Sequence, residues 1–257
     1  MTDLQYPSFA DFIPSENALA DRVILVTGAG DGLGRSASLA FARHGATVIL
    51  LGRTVKKLED VYDEIEAAGG PQPAIFPLKL DKATPEDFEA MAQSINDNFG
   101  RLDGLLHNAA ELDILSPLRM ADVPTWNRVL QTNLTAPFLI TRACLDLLSA
   151  SHSASIVFTS DQLGRKGRAY WNGYAVSKFG IEGLMQTLAD ELSDTNIRVN
   201  SLAPVPVATI LRTRAYPGEN PNSLPKPDDV MGSYLYLMSD ASKAVNGVAV
   251  AATPATQ

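Results

Sequence analysis

The stretch "RVILVTGAGDGLGRSASLAFARHG" constrains the fold more than any other part of this chain. A short β-branched run ends in a glycine cluster, and a helical period follows at once, closed by His44 and a glycine. A strand that feeds a helix forms no tight hairpin with its successor, and strands separated by helices read as a parallel sheet.

The rest of the chain repeats this alternation. "ATVILLG" is a second strand, followed by the amphipathic helix "TVKKLEDVYDEIEAAGG", with Thr54 as its cap and Gly69 as its stop. "PAIFPLKLD" is a third strand, interrupted near Pro77, and "TPEDFEAMAQSINDNFG" a third helix with a threonine cap and a proline start. A fourth strand lies in "RLDGLLHNAA". A long helical region is expected from about Val123 to Leu148, with Pro137 as a kink or offset. "ASIVFTS", the helix "GYAVSKFGIEGLMQTLADELS", "IRVNSLAP" and "NGVAVAA" complete the series. The fold class is α/β, a parallel seven-stranded sheet with helices on both faces. Residues 1–21 form an N-terminal arm and 22–257 the domain. Within it, about 205–228 is rich in Pro and Asn and weakly patterned, as a substrate lid would be.

Composition narrows the function. A chain of 257 residues can bury a sizeable core, and its net charge of −8 argues against a nucleic-acid partner. No apolar run reaches the roughly 18 residues a membrane helix needs, so no membrane association is expected. The N-terminus lacks a basic start followed by an apolar stretch, and the one cysteine, Cys144, suits a reducing compartment. A cytoplasmic protein is expected. His44, His107 and His152 are too scattered to suggest a metal site.

"TGAGDGLG" places Gly28, Gly30, Gly32 and Gly34 between strand and helix. Glycines let a backbone pass close to a pyrophosphate, and a helix N-terminus offers free N–H groups and partial positive charge. At the end of the second strand an acid would bond ribose hydroxyls, but here Gly52 and Arg53 stand instead. A small residue and a guanidinium make a phosphate pocket, which favours NADP(H) over NAD(H). Asp31 pulls the other way if it points toward the ribose.

"TGAGDGLG", Asp81, "HNAA", Asn133 in "LQTNLTAPF" and Tyr174-x-x-x-Lys178 fall in order along the chain. Together they resemble the short-chain dehydrogenase/reductase family from about Arg22 to Ala251. The resemblance implies one Rossmann-like doubly wound domain, a nicotinamide cofactor, and a homotetramer or homodimer built on the two long helices. It assigns Thr27, Gly28, Gly30, Asp31, Gly32, Leu33 and Gly34 to the cofactor turn. Asp81 would contact adenine, Asn108 and Ala109 would border the cofactor, and Thr209 would bind the nicotinamide carboxamide. Tyr174 would be the general acid/base, Lys178 would lower its pKa and anchor the ribose, and Asn133 would hold a relay water.

The departures cluster at the nicotinamide end. Thirteen residues before Tyr174, where the family has a serine that donates to the substrate oxygen, stands Asp161. A carboxylate there cannot donate and opposes the effect of Lys178 on Tyr174. Ser160 could substitute if the loop shifts, or Asp161 could be held protonated as a donor. Ala110 replaces a glycine, and Val205 stands where Pro-Gly is expected. Tyr170 and Trp171 are candidates for the substrate wall, and "GRKGR" is a small basic patch that could draw an acidic substrate. Two readings remain. One is an NADP(H)-dependent oxidoreductase for a small carbonyl or alcohol; the other is an inactive relative that binds NADP(H) or a protein partner.

Overall fold

The computed structural model describes residues 6–256, so the first five residues of the arm lie outside the described residues. Seven parallel strands form one sheet in the order β3-β2-β1-β4-β5-β6-β7. They are β1 (Val23–Thr27), β2 (Thr47–Gly52), β3 (Ala74–Pro77), β4 (Gly104–His107), β5 (Ala154–Thr159), β6 (Ile197–Pro204) and β7 (Ala249–Ala252). All residues of β1, β4 and β5 are buried, which is why these strands read as continuous apolar runs.

Helices cover both faces. On one side α1 (Gly32–Arg43), α2 (Val55–Ala67) and α8 (Met231–Met238) enclose a core with Phe41, Leu50, Leu58 and Tyr234. On the other, α3 (Pro85–Phe99), α5 (Ala136–Ser149) and α6 (Asn172–Glu191) enclose Phe88, Ile95, Ile140, Cys144 and Phe158. Each such fully buried side chain contributes about 1.5–3 kcal/mol relative to exposure. Burial also explains Cys144, whose thiol is pushed up to about 12 and serves as packing.

The expected long helix is broken earlier than Pro137. Helix α4 (Val123–Leu130) runs into a wide turn at Gln131–Thr135, and α5 then begins with Ala136 and Pro137. Proline is tolerated in a first helical turn because its missing N–H has no partner there. The irregularity falls on the turn that carries Asn133.

The arm adds to the sheet rather than hanging free. Ser8 bridges to Ala251 of β7, and Phe9 stacks on Tyr236 at 3.8 Å. Gly232 permits this approach, since a Cβ there would sit 2.5 Å from the Ala10 carbonyl oxygen. Among the described residues no helix is long and apolar enough to cross a membrane, and no group of His, Cys, Asp or Glu is placed to hold a metal ion.

Strand order reverses between β1 and β4, so the loops at their carboxyl ends diverge and open a crevice. The sequence motifs meet there.

Candidate active site

One cavity of about 790 Å³ runs along the carboxyl ends of the strands. At one end it is lined by Gly28, Gly30, Asp31, Gly32, Leu33, Arg53 and Asp81, and at the other by Ser160, Asp161, Trp171, Tyr174 and Lys178. Asn108, Ala109 and Ala110 lie along it, and Thr209 closes it from the lid. Of the predicted site residues, Thr27, Gly34 and Asn133 act from behind the wall and Tyr170 is absent from it.

The glycine turn is built by close approach. A Cβ at Gly34 would fall 2.2 Å from the Gly28 carbonyl oxygen, and one at Gly30 would fall 2.9 Å from Lys57 Cβ. The first helical turn and α2 therefore both press on the loop. Thr27 Oγ1 accepts the backbone N–H groups of Asn108 (2.9 Å) and Ala109 (3.0 Å), tying β1 to β4 beneath the turn.

Asp31 does not stand free for a ribose. Its carboxylate caps α1 by accepting the Gly32 N–H at 2.8 Å, and it pairs with Lys57. Its charge is thus paired within the protein, while the residue still lines the cavity. Lys57 was missed in the sequence; it sits in the first turn of α2, just after Arg53, and lines the same end of the cavity. Arg53 is 62% exposed and its guanidinium lies 3.6 Å from Glu111, so it stays available at the cavity edge.

At the other end, α6 presents Tyr174, Lys178 and Glu182 at successive turns, all buried. Lys178 Nζ donates to the Thr159 carbonyl at 2.7 Å and lies 5.5 Å from the Tyr174 ring centroid. Burial lowers its pKa to about 8, against the upward pull of Asp161 and Glu182. Glu182 in turn accepts from Arg165 and from Ser201 Oγ.

Lys178 does not win at Tyr174. Burial, then the Asp161 charge, then the hydrogen bond to Asp161 hold the phenol well above the usual tyrosine range. The Tyr174 hydroxyl donates to Asp161 Oδ2 at 3.3 Å, while Asp161 Oδ1 accepts the Leu163 N–H at 2.9 Å. The expected acidification is therefore corrected for the protein alone. Ser160 is 3% exposed and its Oγ finds no protein partner. It faces the backbone of Gly164, where an added Cβ would lie 3.1 Å from it. Alternation along the chain turns Asp161, not Ser160, toward Tyr174.

Asn133 is committed to structure. Its Oδ1 accepts the Glu111 N–H at 2.7 Å, and its Nδ2 donates to the Glu111 carbonyl (2.9 Å) and to Ser177 Oγ (3.1 Å). It fixes the loop after β4 against α6. Trp171 is buried, its ring 5.5 Å from that of Tyr174 and 6.0 Å from that of Tyr216. Tyr170 is 57% exposed and adopts φ 77°, turned out of the cavity that Trp171 enters.

The 205–228 segment is more ordered than its composition suggests. Helix α7 (Ile210–Ala215) is capped by Thr209, whose Oγ1 accepts the Arg212 N–H. The Ala208 N–H donates to Pro225 at 2.9 Å, drawing the two ends of the segment together. Val205 avoids the left-handed region and packs against the core beside α8. His107 bonds Thr141 at 2.8 Å and stacks on Phe158, and burial pushes its pKa down to about 3.

The sequence and fold find close counterparts. The family model described as short chain dehydrogenase matches residues 22–220. The uncharacterized oxidoreductase YciK of Escherichia coli (strain K12) is 46% identical over 241 residues, covering 94% of this chain and 95% of that protein. A solved short chain dehydrogenase from Pseudomonas syringae is 49% identical with a TM-score of 0.93, over 95% of this chain and 99% of that one. Another, from Escherichia coli CFT073 and described as complexed with NADPH, is 47% identical with a TM-score of 0.91, over 94% and 100%. The glycine turn, the Tyr174–Lys178 pair and these matches place the chain in the short-chain dehydrogenase family.

Proposed function

We propose that the chain is an NADP(H)-dependent oxidoreductase that interconverts a carbonyl and an alcohol, with Tyr174 as general acid/base. The observation that carries this reading is the single cavity joining Arg53 and the glycine turn to Tyr174 and Lys178. The residues fit the cofactor. Gly28 has φ 68° and a Cβ there would meet Ala109 at 3.0 Å, so any other residue would strain the turn, which opens on the α1 N-terminus. Arg53, exposed at the cavity edge, supplies positive charge for a 2′-phosphate, and the NADPH complex of the relative from Escherichia coli CFT073 supports that choice.

Bound there, NADP(H) supplies or accepts the hydride at the substrate carbon. Tyr174 delivers the proton to the carbonyl oxygen in reduction and receives it from the hydroxyl in oxidation. Lys178 holds positive charge beneath the phenol, and Asn133 keeps the loop after β4 docked on α6. Burial and Asp161 keep the proton on Tyr174, which makes the phenol a weaker acid for reduction and delays oxidation to higher pH. The 205–228 segment acts as the lid over the substrate.

The Tyr174–Asp161 contact also favours a second reading, an inactive relative that binds NADP(H). Titration with NADPH and NADH by nicotinamide fluorescence, followed by a carbonyl screen, separates them. Tighter NADPH binding with Tyr174-dependent turnover supports the enzyme. Binding without turnover, even after Asp161→Ser, supports the binder, and binding of neither nucleotide overturns both.

A further inference from the structure

Beyond the catalytic floor, the cavity opens between the loop that precedes α6 and the lid helix α7. We propose that the substrate carries an anionic group, a carboxylate or a phosphate, joined through an apolar body to the reacting carbonyl or alcohol and held at the mouth by Arg168 and Arg214. This inference rests on the oxidoreductase reading above and names its substrate class.

The chain is acidic, with 29 Asp and Glu against 21 Lys and Arg. Yet Lys166, Arg168, Arg212 and Arg214 all line this cavity. The carboxylates that line it are Asp31, Asp81, Glu111 and Asp161. Asp31 is paired with Lys57 and Glu111 lies near Arg53 and Arg128, while Asp161 faces Tyr174. None of these three is matched to the cations at the mouth.

Arg212 is engaged within the lid, bidentate to Glu219 at 2.6 and 2.7 Å and over the Tyr216 ring at 3.8 Å. Arg168 and Arg214 make no side-chain hydrogen bond or ion pair with another described residue. Two exposed guanidiniums on a site wall are forks suited to carboxylate or phosphate oxygens.

Their placement follows from the apolar cluster between them. Leu112, Leu163, Trp171, Tyr174 and Ala215 pack together, with Leu211 and Tyr216 against them. Arg168 lies three residues before Trp171, and Arg214 directly precedes Ala215. Both arginines line the same cavity as this apolar wall, whose two sides meet where the Trp171 and Tyr216 rings approach to 6.0 Å. Tyr174 lies at its inner end, 5.5 Å from Trp171 between ring centroids. The Asp161 carboxylate at the floor repels an anion there, which orients such a substrate with its charge outward.

The test uses NADPH-loaded protein and 4-carboxybenzyl alcohol, which cannot react with the reduced cofactor, against its methyl ester and against 4-(hydroxymethyl)phenyl phosphate. Calorimetry is expected to show the anions binding about ten-fold tighter than the ester, as two partly exposed ion pairs allow. The preference should vanish in Arg168→Ala/Arg214→Ala, persist in Arg168→Lys/Arg214→Lys, and shrink with added salt. Preference for one anion over the other distinguishes carboxylate from phosphate. Equal affinity of acid and ester, no binding of either anion at millimolar concentration, or a preference untouched by the double alanine change overturns the inference. Turnover of the corresponding aldehydes is read separately. Tyr174-dependent reduction without an anion preference sinks this inference alone, whereas anion-selective binding without turnover keeps the anion site and removes both the enzyme reading and the substrate class built on it.

Discussion

The Tyr174 hydroxyl hydrogen-bonds the Asp161 carboxylate at 3.3 Å, joining two residues thirteen apart in sequence at the floor of one cavity. Asp161 is anchored in that position by its own turn, through the Leu163 N–H. Serine can make the same cap, so Asp161→Ser removes the charge without removing the turn. With the carboxylate gone, two of the three causes that raise the Tyr174 pKa disappear. Tyrosinate then forms at lower pH, and the alkaline limb of alcohol oxidation should move to lower pH. Carbonyl reduction at neutral pH should gain on the order of 10²-fold in kcat/KM, since an oxyanion donor replaces an acceptor. Profiles of both directions against pH check this, and unchanged profiles would mean that Asp161 does not face the reacting atoms.

Arg53 and Lys57 lie at the adenine end, remote from that chemistry. Arg53→Ala should weaken NADPH binding about ten-fold and leave NADH nearly unchanged, because only the phosphate ester loses a partner. Fluorescence titration with both nucleotides measures the ratio. Equal losses for the two would assign Arg53 to the loop rather than to the phosphate.

Asn133→Ala removes three hydrogen bonds and leaves the Glu111 backbone groups unmatched. Such a change costs about 1–3 kcal/mol and should appear as a lower thermal midpoint. If the docking of that loop also sets Tyr174 in place, kcat should fall while nucleotide affinity holds.

His107 supplies a pH dependence that has no link to catalysis. Its folded pKa, about 3 because of burial, lies below the usual 6.5. Between these values the unfolded chain binds the extra proton, so stability is intact above pH 6.5 and declines as pH falls toward 3, by about 1.4 kcal/mol per unit. His107→Gln, which can still bond Thr141, should flatten this part of the acid-unfolding curve relative to the parent protein. An unaltered slope would assign the acid loss to carboxylates.

The sheet was legible because buried parallel strands advertise themselves as apolar runs between helical periods. The glycine turn was legible for a related reason: its spacing reports where backbone must approach backbone. What eluded the sequence depends on long-range partners. The Asp31–Lys57 pair spans two elements, and nothing local says that the carboxylate faces a lysine rather than a ribose. The wide turn at Gln131–Thr135 keeps helical composition, so periodicity ran through it and placed the break at Pro137. Tyr170 and Trp171 are chemically alike as wall candidates, and only the backbone at φ 77° sends one outward. The lid looked unpatterned because its order comes from the Thr209 cap and the Arg212–Glu219 pair, not from a repeating apolar face.

The bridge from Ser8 to Ala251 also governs how this protein can meet other chains. An open sheet has two rims, and unsatisfied backbone groups on either could template a foreign strand. One rim is β3, four residues long and finished by Pro77, which has no N–H to offer. The other is β7, where the Ala251 N–H already donates to the Pro7 carbonyl at 2.9 Å. A strand arriving at β7 must first peel the arm away, together with the Phe9 ring stacked on Tyr236. Both rims are thus guarded against cross-chain β-pairing, one by brevity and proline, the other by a piece of the same polypeptide.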